Sequence, residues 1–195
     1  MGNNKYILLT FIIFAVAFSR LIPHPLNYSP LGALALFAGA KFANKFWGIS
    51  VVILATFISD VVLNNFFYKT MFPTFTLFYN GWYIVYLSYG LIALLGYALL
   101  KKVTIVRVLG GAVMASIIFF IVSNFSYWTS YNLYSKDLQG LIMGYTAAIP
   151  FFKGTLIGTI TWSMVLFGVY QLFTVANYKP FQSIRNHFET PQKIQ

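Results

Sequence analysis

The chain has no cysteine, only three acidic residues and only two histidines. Without cysteine, disulfides, thiolate metal sites and cysteine nucleophiles are excluded. The acids, Asp60, Asp137 and Glu189, are too scattered to form a paired-carboxylate centre. His24 has no second histidine near it, because His187 lies in the polar tail. There is no glycine-rich phosphate loop, and no base accompanies any serine or threonine. The sequence therefore offers no catalytic residue, no metal-ligand set and no cofactor site, and it argues against an enzyme.

Charge as a whole is also scarce. Charged residues make up 8% of the 195 positions and hydrophobic ones 59%. A soluble domain carries about a quarter charged residues, so this composition belongs to the membrane class. Each helical span needs roughly 20 residues, which leaves room for about six spans and no separate soluble domain. The net charge of +10 is spread over short loops and the tail rather than along one stripe. That pattern fits orientation in a bilayer and not nucleic-acid binding.

Hydrophobic runs predict helices over about 5–21, 29–44, 46–65, 80–100, 106–127 and 150–177. The runs are long and lack period-2 alternation, so helix is expected over strand. The fold class is an all-α integral membrane bundle of about six transmembrane helices within residues 1–177. A polar cytoplasmic tail over 178–195 is expected to follow it. The second run is short and ends at Lys41, so it reads either as a brief span with a snorkelling lysine or as a re-entrant piece. Lys5, the apolar run from Tyr6 to Phe18 and Ala15-Val16-Ala17 also fit a secretory leader. A first span accounts for the same residues.

Basic residues set the expected orientation. With the N-terminus inside, nine fall on the cytoplasmic side: Lys5, Lys41, Lys45, Lys101, Lys102, Arg107, Lys179, Arg185 and Lys193. Four fall outside: Arg20, Lys69, Lys136 and Lys153. This bias predicts six spans with both termini cytoplasmic.

Against so apolar a background, the polar residues stand out. Asp60 lies inside an apolar run, where an acid costs several kcal/mol unless paired or hydrated. Counted from Phe46 it lies about 20 Å along the third helix, in the outer half. The first helix also runs outward and ends at Arg20, so the two charges reach the same layer and can pair. Arginine suits such a pair because its planar fork can grip a carboxylate. A structural pair and a binding role are both open.

The other outer ends add His24 and Asn27, then Asn64, then Tyr79, Asn80 and Trp82. Asn124, Tyr127 and Trp128 close the fifth helix, Tyr131 follows it, and Lys153 opens the sixth. Amides and aromatics thus gather at one end of the bundle, as a pocket for a small organic ligand requires. The segment Phe18-Ser19-Arg20-Leu21-Ile22-Pro23-His24-Pro25-Leu26-Asn27-Tyr28-Ser29-Pro30 carries three prolines. They fix φ and restrict their predecessors, which is expected to hold Arg20, His24 and Asn27 over the mouth.

The run from Arg20 to Ala40, together with Asp60 and the run from Gly140 to Phe152, resembles a family of small, uncharacterised bacterial membrane proteins. That family is similar, more loosely, to the substrate-binding S components of energy-coupling-factor vitamin transporters. The resemblance implies a multi-pass protein of the bacterial cytoplasmic membrane that captures a vitamin-like micronutrient for uptake. It implies a separate coupling subunit and ATPase module as partners. It also places partner docking on small residues of the first helix, here Ala15 and Ser19, with Ser19 departing from the alanine expected. The alternative is a non-transport scaffold or small accessory subunit of a larger membrane assembly.

Overall fold

The computed structural model describes the backbone of residues 2–189 and the side chains of residues 6–172. It contains six α-helices and, among the described residues, no strand. They are α1 (Gly2–Phe18), α2 (Leu31–Lys41), α3 (Lys45–Val62), α4 (Trp82–Leu99), α5 (Ile105–Ser130) and α6 (Leu138–Glu189). Four stretches, Lys45–Phe67, Trp82–Leu99, Ile105–Ser130 and Leu138–Leu172, are long and apolar enough to cross a membrane. The chain is a membrane protein.

Helix α2 is the axis of the fold. Every residue from Leu31 to Gly39 is buried, and α1, α3, α4, α5 and α6 pack around it. At 1.5 Å per residue its eleven residues reach only about 16 Å, roughly half a bilayer core. It begins at the end of the bundle that holds residues 19–30. It finishes at the opposite end, where Phe42 stacks on Tyr6 with ring centroids 5.6 Å apart. There the Lys41 ammonium lies 4.3 Å from the centre of the Tyr170 ring, and that of Lys45 lies 4.3 Å from the centre of the Tyr97 ring.

Glycine explains how a helix so enclosed can fit. A Cβ at Gly39 would overlap the Ala93 carbonyl oxygen on α4, and one at Gly96 would overlap the Leu36 carbonyl oxygen on α2. The α2 and α4 backbones therefore touch at two points about one turn apart. In lipid there is little gain from leaving water, so association rests on close packing of this kind. Phe37, fully buried, then fills the other side with edge contacts to Phe167 and Tyr170 at 5.1 and 5.6 Å.

Helix ends follow local chemistry. The Asn44 side chain accepts the Phe46 N–H at 2.9 Å and starts α3 after a three-residue turn. Helix α3 does not stop at Val62 but widens into a π-helical turn over Leu63–Phe67, with the Tyr68 N–H donating to the Leu63 carbonyl at 2.8 Å. Helix α6 starts at Leu138 rather than near 150, because Asp137 Oδ1 accepts the Gly140 N–H at 2.7 Å and so caps it. Pro150 lies within α6; it removes one ladder bond, a loss tolerated in membrane helices. The tail expected over 178–195 lies outside the described side chains, although the α6 backbone is helical to Glu189.

Candidate functional site

The proline-rich segment 19–30 lies below the ends of the long helices, with residues 22–27 exposed. Gly81, at the start of α4, packs against Ser126 and Ser130 near the end of α5, and Ser126 Oγ donates to the Gly81 carbonyl at 2.9 Å. Tyr89, which also faces segment 19–30, lies eight residues further down α4, about 12 Å by helical rise. On α6, a Cβ at Gly154 would overlap the Leu26 carbonyl oxygen, and one at Gly158 would come within 3.0 Å of the Tyr28 Cα. These two glycines let the segment lie directly on the helix. Asn27 adopts φ 58°, a left-handed conformation that asparagine tolerates better than most residues.

The outcome is a cup of about 660 Å³. Segment 20–29 forms one side, and Leu63, Phe67 and Tyr68 at the end of α3 form another. Tyr79, Val85, Tyr89 and Phe119 complete it, with the Tyr89 and Phe119 rings stacked at 5.5 Å. A smaller cavity of about 260 Å³ adjoins it through Asn27 and Phe119 and is lined by Asn124, Tyr127 and Thr155 among others. The prolines thus hold Arg20, His24 and Asn27 as a recessed face of the cup.

Beneath that face lies the ion pair. Arg20 Nη1 donates to Asp60 Oδ1 at 2.7 Å and to Ser59 Oγ at 2.8 Å. The second carboxylate oxygen, Asp60 Oδ2, accepts the Tyr86 hydroxyl at 2.8 Å. Asp60 is only 6% exposed and does not line the cup, whereas Arg20 does. The carboxylate is satisfied from both sides, which is what a buried charge requires. It ties the end of α1 to α3 and, through Tyr86, to α4.

Two further polar side chains flank Asp60 four residues away on either side, Thr56 on α3 and Asn64 in the π-helical turn that follows it. Thr56 Oγ1 and Asn64 Nδ2 are buried and have no hydrogen-bond partner among the described residues. Asn65 has a different task. Its side chain donates to the Thr76 carbonyl and accepts the Thr76 N–H, both at 2.8 Å, and so anchors the 68–81 connection to α3.

The remaining expected site residues divide clearly. His24 lines the cup, with Nδ1 donating to the Ile22 carbonyl at 2.8 Å. Tyr79 lines it too, and burial raises its phenol above the ordinary value, so the hydroxyl stays protonated. Asn80 is exposed and lines neither of these two cavities. Trp82 belongs to an aromatic column, stacked on Phe78 at 4.3 Å and edge-on to Tyr86 at 5.4 Å. Trp128 Nε1 donates to the Ser135 carbonyl, and Tyr131 stacks on Tyr127 at 4.8 Å, so both organise the α5–α6 connection. Lys153 is exposed on α6, away from both cavities. Ala15 is exposed on α1, while Ser19 turns inward and donates to the Val16 carbonyl at 2.7 Å.

Tyr86, Tyr89 and Phe119 were absent from the residues expected at the site. A signal for two of them was present: Trp82, Tyr86 and Tyr89 recur at helical spacing and share one face of α4. Among the described residues no group of histidine and acidic side chains could hold a metal ion.

A known family matches the chain over residues 2–183. The chain belongs to DUF6580, a family of unknown function. No curated protein and no solved structure matches it. The match spans α1 to α5 and most of α6, so the cup, the ion pair and the α2 axis all fall within the family region.

Proposed function

We propose that this DUF6580 protein is a membrane-embedded substrate-binding protein for uptake of a small organic micronutrient, analogous to an S component. The observation that carries the reading is the cup. A recess of about 660 Å³ is within the size range of small-molecule sites, and its walls combine aromatic rings with a few polar groups. An open recess at one end of a tightly packed bundle suits capture of a solute from one side of a membrane.

In this reading six helices make up the membrane bundle, α1 and the half-length α2 as a paired hairpin, with both termini in the cytoplasm of a bacterium. The cup then opens outward, and the lysine-rich end faces in, as the distribution of basic residues favours. The exposed Ala15 on α1 offers a small-residue face for a coupling subunit, and a separate ATPase module supplies the energy. The test is native mass spectrometry of protein extracted gently from its host. A monomer with a reproducible small-molecule adduct, weakened by Tyr79→Phe, supports the reading. Adduct-free protein in a stoichiometric complex with unrelated subunits sinks it.

That second outcome corresponds to an accessory-subunit role, which one observation favours. At the lysine-rich end an apolar recess of about 560 Å³ lies between Val103–Val108 and Met164–Leu172. A helix of another membrane protein could seat there. Pull-down of a single defined partner, lost in Gly168→Phe, would establish it.

A further inference from the structure

The cup carries a chemical bias. Its lining includes one guanidinium, from Arg20, and one imidazole, from His24, but no carboxylate. Asp60 balances the Arg20 charge from behind and does not line the cup. A guanidinium has five N–H donors, and Asp60 and Ser59 take those of Nη1. The Nε and Nη2 donors have no hydrogen-bond partner among the described residues. The same holds for the hydroxyls of Tyr79 and Tyr89, residues that also line the cup. The cup thus carries unpaired donors, one of them cationic, and no carboxylate.

We infer that the ligand of the cup is a small organic anion with a planar oxyanion, of the carboxylate class, attached to an apolar or aromatic body. The inference rests on the proposed binding role and names the chemistry of its ligand. The Nε–Nη2 edge of Arg20 matches two carboxylate oxygens in the same way as a bidentate ion pair. Tyr79 and Tyr89 donate to the remaining lone pairs. The stacked Tyr89–Phe119 pair offers the apolar body a flat wall. Asp60 and Ser59 act as positioning residues: by fixing Nη1 they leave the Nε–Nη2 edge of the fork unpaired and available to a ligand, at little entropy cost on binding.

The experiment uses purified full-length protein in lipid nanodiscs and two isosteric probes, 2-naphthoate and its neutral amide, 2-naphthamide. Calorimetric titration is expected to show the carboxylate binding about tenfold tighter, the advantage of a charge-assisted pair over neutral hydrogen bonds. Arg20→Gln alone strands Asp60 and risks unfolding. The double variant Arg20→Met/Asp60→Leu removes the pair together and keeps the volume filled. It is expected to fold and to bind both probes equally.

Equal affinities in the wild type, or tighter binding of the amide, overturn the anionic class and leave the binding reading standing. A preference that persists in the double variant overturns the assignment to Arg20. If neither probe binds, the native adduct decides. An adduct mass with a titratable acid group supports the class, and one without it refutes the class. No adduct and no probe binding refute the binding reading itself.

Discussion

The two ends of the bundle use glycine for opposite purposes. Toward the lysine-rich end, Gly39 and Gly96 bring the α2 and α4 backbones into contact, helix against helix. At the cup, Gly154 and Gly158 admit the turn at 26–28 against α6, loop against helix. In the first case two rigid rods share the contact, and neither can yield without moving the bundle. In the second, one partner is a loop whose dihedrals can adjust. Close approach thus produces a solid axis at one end and a shaped recess at the other.

That contrast predicts an order of effects. Gly96→Val should be the most severe change, because a branched side chain would meet the Leu36 carbonyl with no room to move. Because neither backbone can yield, the cost should exceed the about 1–3 kcal/mol typical of overpacking and show as loss of folded monomer in size-exclusion chromatography. Gly154→Val should cost less, because the Leu26 carbonyl it meets belongs to a loop and not to a second helix, and it should also shift that loop, visible as altered probe affinity. Equal destabilisation by the two would break the comparison.

Next comes the ion pair that joins the ends of α1 and α3. Asp60→Ala strands Arg20 and should cost about 3–5 kcal/mol in an unfolding titration. The double variant Arg20→Met/Asp60→Leu should recover most of that loss. Recovery of nothing would mean that the two residues act separately. Tyr86→Phe removes one hydrogen bond to a charged group and should cost about 1.5–3 kcal/mol. Tyr79→Phe, on the cup wall, removes a hydroxyl with no hydrogen-bond partner among the described residues, and should leave stability unchanged and lower only ligand affinity.

The smallest effect lies at the start of α6, outside both regions compared. The Gly140 N–H, then the Ser135 hydroxyl, hold the Asp137 carboxyl below its ordinary value. A depressed folded value means that the cap stabilises above the unfolded value of about 3.8. The contribution fades as pH falls through the lower folded value. Amide exchange at Gly140 and Leu141 should therefore match between wild type and Asp137→Ala in strong acid and diverge near neutral pH. Divergence that persists in acid would show that the cap does not depend on the charge.

Much of the architecture was legible because lipid leaves the backbone few choices. Long apolar runs had to be helices, and α3, α4 and α5 begin within about two residues of the positions expected for them, inside the usual spread of helix boundaries. Helix α6 was less legible because Pro150 resembles a boundary, whereas the cap that starts the helix depends on a single side chain at 137. The pairing of Arg20 with Asp60 could be anticipated from depth alone, since both sit toward the C-terminal ends of helices running the same way. Tyr86 could not be assigned as the second partner, because its hydroxyl reaches Asp60 only through the rotation of α4 against α3.

The sequence by itself determined that this chain is a helical membrane protein, poor in chemistry and asymmetric in its polar groups. Hydropathy and charge are local properties, and a bilayer reads them residue by residue. Only the tertiary structure decided that the shortest helix is the axis, and that the proline segment is recessed rather than laid over the top. It also decided which edge of Arg20 is free. Those outcomes depend on which backbones can touch, and contact between distant glycines and carbonyls is not written in any one stretch of the chain.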